Sequence, residues 1–394
     1  KRFWLFLFIA IVLYLFANQT QVGWIYVISA AIIGLLAVAF LYGQRLHTVQ
    51  ATRYFYSDAD QDPAADFNLP AFHEDDPVEV VLRIENRGLL PAFLMSGEER
   101  CPFAPPTEQD QPFFVSSLFR GQPLDLAYRV PADRRGLYSF STVPLRSKGP
   151  FGFFAGRRLI DAPGDILIYP QFFPLKRLAP LEMMTAGQRQ TRRVGAGVQV
   201  LGTREYRRGD ALRQIHWRST ARRGDLVVKE FADDDQLTLT VVLDLQAGSS
   251  LGRGKFSTFE TAVRLAASLS HYADSKDIPF YVAGSGQRWS PPQTSLSWWA
   301  AMNYLARVQQ DGRVSMAETL NKLPALPFVV ALISRPSPET ARALQTLQRK
   351  GTRTLAIFIT PDGDLPDQVP VTETPTLKTA VIAAEQWEEG VKTL

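Results

Sequence analysis

Ten arginines lie within a 35-residue stretch near the middle of this chain, and they are the residues best suited to binding chemistry. They are Arg189, Arg192, Arg193, Arg204, Arg207, Arg208, Arg213, Arg218, Arg222 and Arg223. Glu205 and Asp210 are the only acidic residues among them. A guanidinium group is permanently charged and carries five hydrogen-bond donors, so such a cluster is suited to binding anions.

Three kinds of anionic partner fit this cluster. Lipid headgroups attract basic segments near a membrane, and an acidic face of a partner protein would do the same. Tyr206 and Trp217 interleave with the arginines as base-stacking residues would, but nucleic acid is not favoured because no recognised nucleic-acid module accompanies them. In a simpler alternative, some arginines pair with Asp225, Glu230 and the aspartates 233–235 in a solvated face.

Residues for catalysis are scarce. The four histidines, His47, His73, His216 and His271, show no metal-binding spacing, and His216 is predicted to form a structural hydrogen bond. The single cysteine, Cys101, excludes an intrachain disulfide and a cysteine-based zinc cluster. The sequence contains no Gly-x-Ser-x-Gly, Walker A or dinucleotide fingerprint. We therefore expect a protein that is not an enzyme and needs no cofactor.

The arginine-rich segment should be held by a helix. Asp210 is placed to cap a helix over Ala211–Arg223, and Gly224 is placed to end it. Leu212, Ile215 and Thr220 can face a core while Arg213, Trp217 and Arg218 lie elsewhere on the helix, so much of the segment can serve only to lock helix to sheet.

Two uncharged apolar runs open the chain, from Phe3 to Phe16 and from Val22 to Tyr42, separated by a short polar turn. The second run has about the 20 residues that a hydrocarbon core of about 30 Å requires. A cleaved signal peptide is the rival interpretation of the first run, but no small-residue cleavage site follows Phe16. We therefore predict a transmembrane hairpin.

Basic residues set the expected orientation of this hairpin. Lys1 and Arg2 precede the first run, Arg45 and Arg53 follow the second, and the turn between the runs is uncharged. Since positive charges favour the cytoplasmic side, both ends should face the cytoplasm. The prediction is a multi-pass inner-membrane protein with cytoplasmic soluble domains.

Two soluble domains are predicted behind the hairpin. An antiparallel immunoglobulin-like β-sandwich is indicated by five short strands: Val78–Glu85, which has period-two alternation, Phe113–Leu118, Leu124–Val130, Leu137–Phe140 and Ile166–Tyr169. Strands and helices then alternate, among them strand Phe328–Ile333 and helix Pro338–Arg349, and this alternation is typical of an α/β domain with a mostly parallel sheet. Thr379–Gly390 is predicted as its last helix. The expected domains are a hairpin over 1–44, a linker over 45–60, the β-sandwich over 61–180, a basic signature segment over 181–236 and the α/β domain over 237–394.

The basic signature segment resembles the signature of the bacterial domain-of-unknown-function-58 family. The resemblance rests on Gly202-Thr203-Arg204-Glu205-Tyr206-Arg207-Arg208-Gly209-Asp210, on Arg213 to Arg222, and on Leu226 to Phe231. The signature residues expected to bind a partner or support the structure are Arg204, Glu205, Tyr206, Asp210, Arg213, His216, Trp217, Arg218 and Arg222. The hairpin, the β domain with Pro150-Phe151-Gly152-Phe153, and the α/β domain also look like the family's layout.

The resemblance implies a von Willebrand factor A-like C-terminal domain and partnership with a MoxR-type AAA+ ATPase and a transglutaminase-like membrane protein. Folds of that type bind a divalent cation through Asp-x-Ser-x-Ser, but here the stretch reads Asp244-Leu245-Gln246-Ala247-Gly248. Since only Asp244 is kept and Gln246 could offer a carbonyl at most, we expect a lost or weak metal site. The loops at Asp244, Ser285, Ser334-Arg335 and Asp362 should form the ligand edge of the sheet.

Two functions are consistent with these features. The first is a membrane-anchored cytoplasmic scaffold or adaptor that docks protein partners through its basic segment. The alternative is a divalent-metal-dependent or hydrolytic enzyme with its site at the Asp244 edge.

Overall fold

The computed structural model describes residues 2–43, 45–57, 72–148, 153, 155–186, 194–206, 215–232, 237–364 and 373–394. The chain divides into two compact units, Lys1–Pro170 and Gln171–Leu394. Each unit builds its own core, and each is described by itself below.

The first unit begins with two apolar helices, α1 (Arg2–Thr20) and α2 (Gly23–Gly43). Large apolar side chains lie on their outer faces, and Trp4, Phe8 and Val27 are between 64% and 69% exposed. A core helix of a water-soluble protein would bury such residues, whereas lipid would cover them. Both helices are long enough to cross a bilayer, which agrees with the predicted hairpin.

The predicted linker is instead part of the folded unit over most of its length. A 3₁₀ helix spans Arg45–Thr48, and strand β1 (Val49–Ser57) pairs antiparallel with β2 (Pro77–Asn86) at nine positions. The alternation in β1 was hard to recognise because an arginine, Arg53, occupies a buried inward position.

Arg53 therefore does not act as a charge flanking the membrane. Its Nε lies 2.6 Å from Oε1 of the buried Glu99, its Nη1 donates to the Ala162 carbonyl, and its guanidinium lies 4.2 Å from the Phe140 ring centroid. Lys1, Arg2 and Arg45 remain as the basic residues that flank the hairpin in the sequence.

Seven strands form two antiparallel sheets. We call these two sheets, together with the Arg45–Thr48 turn, the β unit. One sheet has the order β1-β2-β5 and the other β4-β3-β6-β7. The remaining strands are β3 (Ala92–Arg100), β4 (Asp110–Leu118), β5 (Leu124–Pro131), β6 (Gly136–Ser147) and β7 (Gly156–Ile168). Both sheets contribute to two apolar clusters, so they pack face to face. Sequence patterning located five of these strands and missed β1 and β3.

The second unit starts before the predicted domain boundary. Helix α3 (Ala179–Ala186) belongs to it, and the Ala179 amide donates to the carbonyl of the terminal Leu394 at 2.8 Å. Strands β8 (Val194–Glu205) and β9 (Val227–Ala232) form an antiparallel pair around helix α4 (Trp217–Arg223).

A five-stranded sheet forms the rest of the second unit, and all four of its strand pairings are parallel. Its order is β11-β10-β12-β13-β14, with β10 (Leu239–Leu243), β11 (Phe280–Ala283), β12 (Phe328–Ile333), β13 (Arg353–Thr360) and β14 (Leu377–Ala383). The helices are α5 (Thr258–Ser275), α6 (Trp298–Arg307), α7 (Met316–Lys322), α8 (Pro338–Arg349) and α9 (Trp387–Lys392), besides a 3₁₀ turn at Gly254–Phe256. The parallel sheet confirms the predicted α/β class.

The predicted final helix over Thr379–Gly390 is wrong. The segment Leu377–Ala383 is strand β14, which pairs with β13 at seven positions, and only Trp387–Lys392 is helical. A short apolar run does not distinguish a strand from a buried helix by its periodicity, and here pairing with β13 decided the outcome.

Candidate functional site

The basic signature segment is built on the β8–β9 pair. Arg204 lies opposite Val228, and Glu205 lies opposite Val227. The backbone amide of Tyr206 donates to the Leu226 carbonyl at 2.8 Å, and its side chain is half-buried. The predicted signature residues Asp210 and Arg213, and the predicted core residue Leu212, lie outside the residues that the structure describes.

The helix within this segment begins later than predicted. Ile215 forms a β-bridge with Val228, so the backbone is extended there, and α4 starts at Trp217. The N-cap is His216 and not Asp210. Gly224 ends the helix as predicted, with a φ of 85° that a glycine adopts without strain.

His216 has the structural role expected of it. Its Nδ1 accepts a hydrogen bond from the Ser219 amide at 3.2 Å and lies 2.6 Å from the Ser219 hydroxyl oxygen. Its own amide donates to the Val227 carbonyl at 2.7 Å. The ring therefore satisfies an amide that would otherwise lack a partner in the first turn of α4.

One face of α4 is tied to the strands beneath it. The Thr220 hydroxyl accepts from the Val227 amide at 3.0 Å, and Ile215, Val227 and Val228 are buried. These contacts, together with the His216 cap, are enough to position the helix.

The opposite face of α4 points into solvent. Trp217 is 66% exposed, and Arg218, Ala221 and Arg222 are exposed beside it. No carboxylate whose position the structure describes lies within ion-pair distance of Arg218 or Arg222, and the nearby Asp225 pairs with neither. The alternative pairing with Glu230 and the aspartates 233–235 involves side chains outside the described set. We call Trp217, Arg218, Ala221 and Arg222 the α4 face.

A second candidate site lies at the carboxyl edge of the parallel sheet. The chain passes from β10 to its neighbour β11 and then crosses to the other side of β10 to form β12. Ligands of such sheets bind where the strand order reverses, beyond the carboxyl ends of the two strands. A cleft of about 270 Å³ lies there, lined by Asp244 after β10 and by Arg335 and Ser337 after β12.

Asp244 is 3% exposed, and burial raises the pKa of its carboxyl group. The Gln246 amide donates to its Oδ1 at 3.2 Å, and this bond and the Ser249 hydroxyl act in the opposite direction on the pKa. Burial is the largest of these effects, so the site favours the neutral acid more than water does.

Gln310 was not identified from the sequence, although it organises this cleft. Its Nε2 donates to the Asp244 carbonyl at 3.0 Å and to the Ser249 hydroxyl at 2.8 Å. It lies 66 residues from Asp244 in the chain, and no local pattern marks it. Of the four loops predicted at the ligand edge, those at Asp244 and Ser334-Arg335 meet at this cleft, whereas Ser285 and Asp362 are not among its lining residues.

The cleft does not fit a divalent-cation site. The hydroxyl of Ser249 is engaged by Gln246 and Gln310, and that of Ser337 by Thr340. An arginine, Arg335, lines the same space. Across the described ranges no group of three or more histidine, cysteine, aspartate or glutamate side chains could hold a metal ion. A hard cation needs several anionic or neutral oxygen ligands, and this set offers few.

Comparison with solved structures gives only remote likeness. A glycoside hydrolase family 20 exo-β-N-acetylglucosaminidase from Vibrio harveyi, in complex with N-acetylglucosamine, aligns with 82% of this chain and 77% of its own, at 8% identity and a TM-score of 0.22. An inactive mutant of the same enzyme gives the same values. Overlap this low carries no argument about fold or function, and no curated protein matches the chain.

A family match covers residues 202–322, which run from the end of β8 through α4 and the Asp244 loop to the end of α7. It includes the α4 face and the part of the cleft formed by Asp244, Ser249 and Gln310, but not Arg335 or Ser337. Residues 202–322 therefore match the family described as Protein of unknown function DUF58.

Proposed function

We propose that this protein is a membrane-anchored cytoplasmic scaffold or adaptor, and that the α4 face docks an acidic surface of a partner protein. The observation that carries this proposal is the 66% exposure of Trp217 beside Arg218 and Arg222, which have no described carboxylate partner. Family membership names no reaction, so the proposal rests on the chemistry of this face.

Folding alone does not account for the α4 face. The buried side of the segment is anchored by Ile215, the His216 cap and the Thr220 hydroxyl. A tryptophan on the solvent side adds nothing to those contacts. Tryptophan and arginine are the residues most enriched at protein-binding hot spots, because they combine large contact area with charge or hydrogen bonding.

The charge of the face favours an acidic partner. Arg218 and Arg222 are one helical turn apart, so both guanidinium groups can meet carboxylates on one opposing surface. Resemblance to the family suggests a MoxR-type AAA+ ATPase and a transglutaminase-like membrane protein as candidates.

The anchor in this proposal is the α1–α2 hairpin in the inner membrane, with both soluble units on the cytoplasmic side. The β unit is proposed to be an immunoglobulin-like sandwich, a proposal supported by its two packed antiparallel sheets. The parallel-sheet domain is proposed to be von Willebrand A-like, which is supported by an aspartate directly after its first strand.

The first test is site-specific photo-crosslinking in native membranes. A photo-reactive residue at Ala221, between the two arginines, should crosslink to an acidic protein partner, identified by mass spectrometry. The Arg218→Glu/Arg222→Glu variant should reduce the yield by about tenfold or more, because each interface charge becomes repulsive. The photo-reactive residue at the exposed Gln345 on α8 serves as the positional control.

A matched charge control is available on the same unit. Arg342→Glu/Arg349→Glu makes the same change in net charge on the exposed side of α8 and should leave the Ala221 crosslink unchanged. Equal loss in both double variants, with folding intact, would mean that net charge and not the α4 face governs capture. Undiminished capture by the folded α4 variant would refute the docking role.

The Asp244 cleft supports a second candidate, a hydrolytic or metal-dependent enzyme. In its favour are the position of the cleft at the reversal of strand order and the buried carboxyl group that faces it. The oxygen donors of the cleft argue against the metal-dependent form, which the Asp244 variant discussed below tests.

A further inference from the structure

The end of the β unit that adjoins the two apolar helices is formed by loops whose positions are fixed by Asn86. The Thr48 hydroxyl donates to Asn86 Oδ1 at 2.8 Å, and the Asn86 amide group donates to the carbonyls of Leu90 and Leu118 at 2.9 and 3.1 Å. Loops 87–91 and 119–123 are therefore held beside the turn that follows α2. We call these two loops, with Lys148 and Phe153, the helix-proximal end.

The tether between the hairpin and this end is short. Five peptide units join Gly43 to Thr48, which limits their separation to about 18 Å even if fully extended. Gly88 allows the closest approach, since a Cβ at that position would come within 2.6 Å of the Thr48 hydroxyl oxygen. The Arg87 amide donates to the Thr48 carbonyl at 3.0 Å.

Phe153 brings the connection between β6 and β7 to the first apolar helix. Its ring packs edge-on against Phe6 of α1, with centroids 5.2 Å apart. Phe6 lies four residues after Arg2, or about 6 Å along the helix axis, inside the apolar run. If α1 crosses a bilayer, Phe153 lies at the level of the membrane interface.

The helix-proximal end carries exposed apolar side chains that its own packing does not require. Leu89 is 79% exposed and Phe119 is 47% exposed. Single exposed apolar residues are ordinary on a protein surface, but these two lie on the loops that Asn86 holds beside the turn following α2. A membrane interface would remove such side chains from water, which favours docking at this end.

Cations surround these apolar residues. Arg87, Arg120 and Lys148 are exposed, and loops 87–91 and 119–123 contain no acidic residue. The carboxylate of Glu85 lies 3.8 Å from the Arg87 guanidinium. Both groups are exposed to solvent, so this ion pair neutralises Arg87 only weakly. Arg158 lies close by and donates to the Leu46 carbonyl at 3.2 Å.

We propose that the helix-proximal end is a bilayer-docking surface, in which Leu89, Phe119 and Phe153 enter the membrane interface and Arg87, Arg120 and Lys148 bind anionic lipid headgroups. The proposal rests on the membrane anchor of the proposed function but not on its α4 face. It places the β unit directly against the cytoplasmic leaflet instead of on a flexible spacer.

Site-directed fluorescence on the full chain in lipid nanodiscs tests this docking. An environment-sensitive maleimide fluorophore is attached to Leu89→Cys or Phe119→Cys, with quencher groups on the lipid acyl chains. The native Cys101 is buried and burial raises its pKa to about 12, so it does not compete for the label. Leu137→Cys is the matched control, because Leu137 is 55% exposed at the start of β6, about 33 Å along the strand from Ser147.

We expect lipid quenching of the Leu89 and Phe119 labels to exceed that of the Leu137 label at least twofold in equimolar phosphatidylglycerol and phosphatidylcholine. Adding Arg120→Glu/Lys148→Glu should lower the ratio of docked to undocked protein by about fivefold per cation in these discs. In phosphatidylcholine alone the same charge change should have no effect.

Equal quenching at the three positions, in a chain that still requires detergent for extraction, would overturn the docking surface and leave the anchor intact. Release of the chain from membranes by alkaline carbonate would overturn both the docking surface and the membrane anchor. Quenching that is unchanged by the lipid charge and by the Arg120→Glu/Lys148→Glu substitutions would overturn the headgroup contacts. Protection of the labels only in native membranes, and not in nanodiscs, would overturn the proposal in favour of a protein partner.

Discussion

Asp244 shows how burial, more than residue type, determines the chemistry that one side chain can do. Its carboxyl group is almost fully buried, and the hydrogen bonds that it accepts do not compensate for the lost solvation. The native state therefore binds a proton at Asp244 more tightly than the unfolded chain does. Ionisation of this group costs stability as the pH rises from its ordinary pKa of 3.8 towards the raised value in the folded protein.

Replacing Asp244 with asparagine should remove that pH-dependent cost. We expect the Asp244→Asn variant to gain stability relative to the wild-type chain as the pH rises from about 4 to about 7, measured as the difference in Tm of the second unit. Asp125→Asn is a control of opposite sign. Hydrogen bonding to Arg83 lowers the pKa of Asp125, so that variant should fall behind the wild type in the Tm of the first unit as the pH rises towards about 4. A Tm difference for Asp244→Asn that does not vary with pH would contradict a raised pKa.

The same Asp244→Asn variant tests the metal-dependent form of the second candidate function. A ligand that binds only the folded state raises its Tm, so a metal site would show a rise with Mg²⁺ or Mn²⁺ that the variant loses. From the donor set of the cleft we expect no such rise in either protein. A rise confined to the wild-type chain would favour the enzyme over the scaffold.

At the scale of single elements, helix α8 shows that local sequence signals can predict where a helix begins and ends. Ser337 precedes Pro338 and Glu339, a combination typical of a helix start, and the helix was predicted with its observed bounds. Strand β12 was also predicted with its observed bounds, because six consecutive buried apolar residues are bracketed by turn residues. Helix α4 was predicted to start too early, since no local rule indicates that Ile215 pairs with Val228.

The cap of α8 can be tested directly. The Ser337 hydroxyl accepts from the Thr340 amide at 3.1 Å, so Ser337→Ala should destabilise the second unit by about 1 kcal/mol. Ser337→Asn keeps an acceptor at this position and should cost only a few tenths of a kcal/mol. Chemical denaturation of both variants measures the difference. Equal losses in the two would show that the hydroxyl serves the cleft, and not the helix start.

At the scale of the whole molecule, orientation across the membrane is the prediction on which the scaffold depends. Gln19 lies in the last turn of α1 and Gln345 on α8, and both side chains are exposed. With both soluble units cytoplasmic, Gln19→Cys should react with a membrane-impermeant maleimide in intact spheroplasts, whereas Gln345→Cys should react only after lysis. Buried Cys101 leaves a low background. Labelling of Gln345→Cys in intact spheroplasts would mean that the orientation is the opposite of the predicted one.

The sequence by itself determined the features that follow from local composition. These are the two apolar helices, the alternating strands, the parallel-sheet domain and the family signature, since hydrophobic length, periodicity and motif spacing are properties of neighbouring residues.

Only the tertiary structure decided features that depend on partners distant in the chain. Arg53 is buried because Glu99 neutralises it, β14 is a strand because β13 pairs with it, and Gln310 reaches Asp244 across 66 residues. The exposed α4 face is of the same kind, because which side of a helix is buried depends on the strands that pack beneath it.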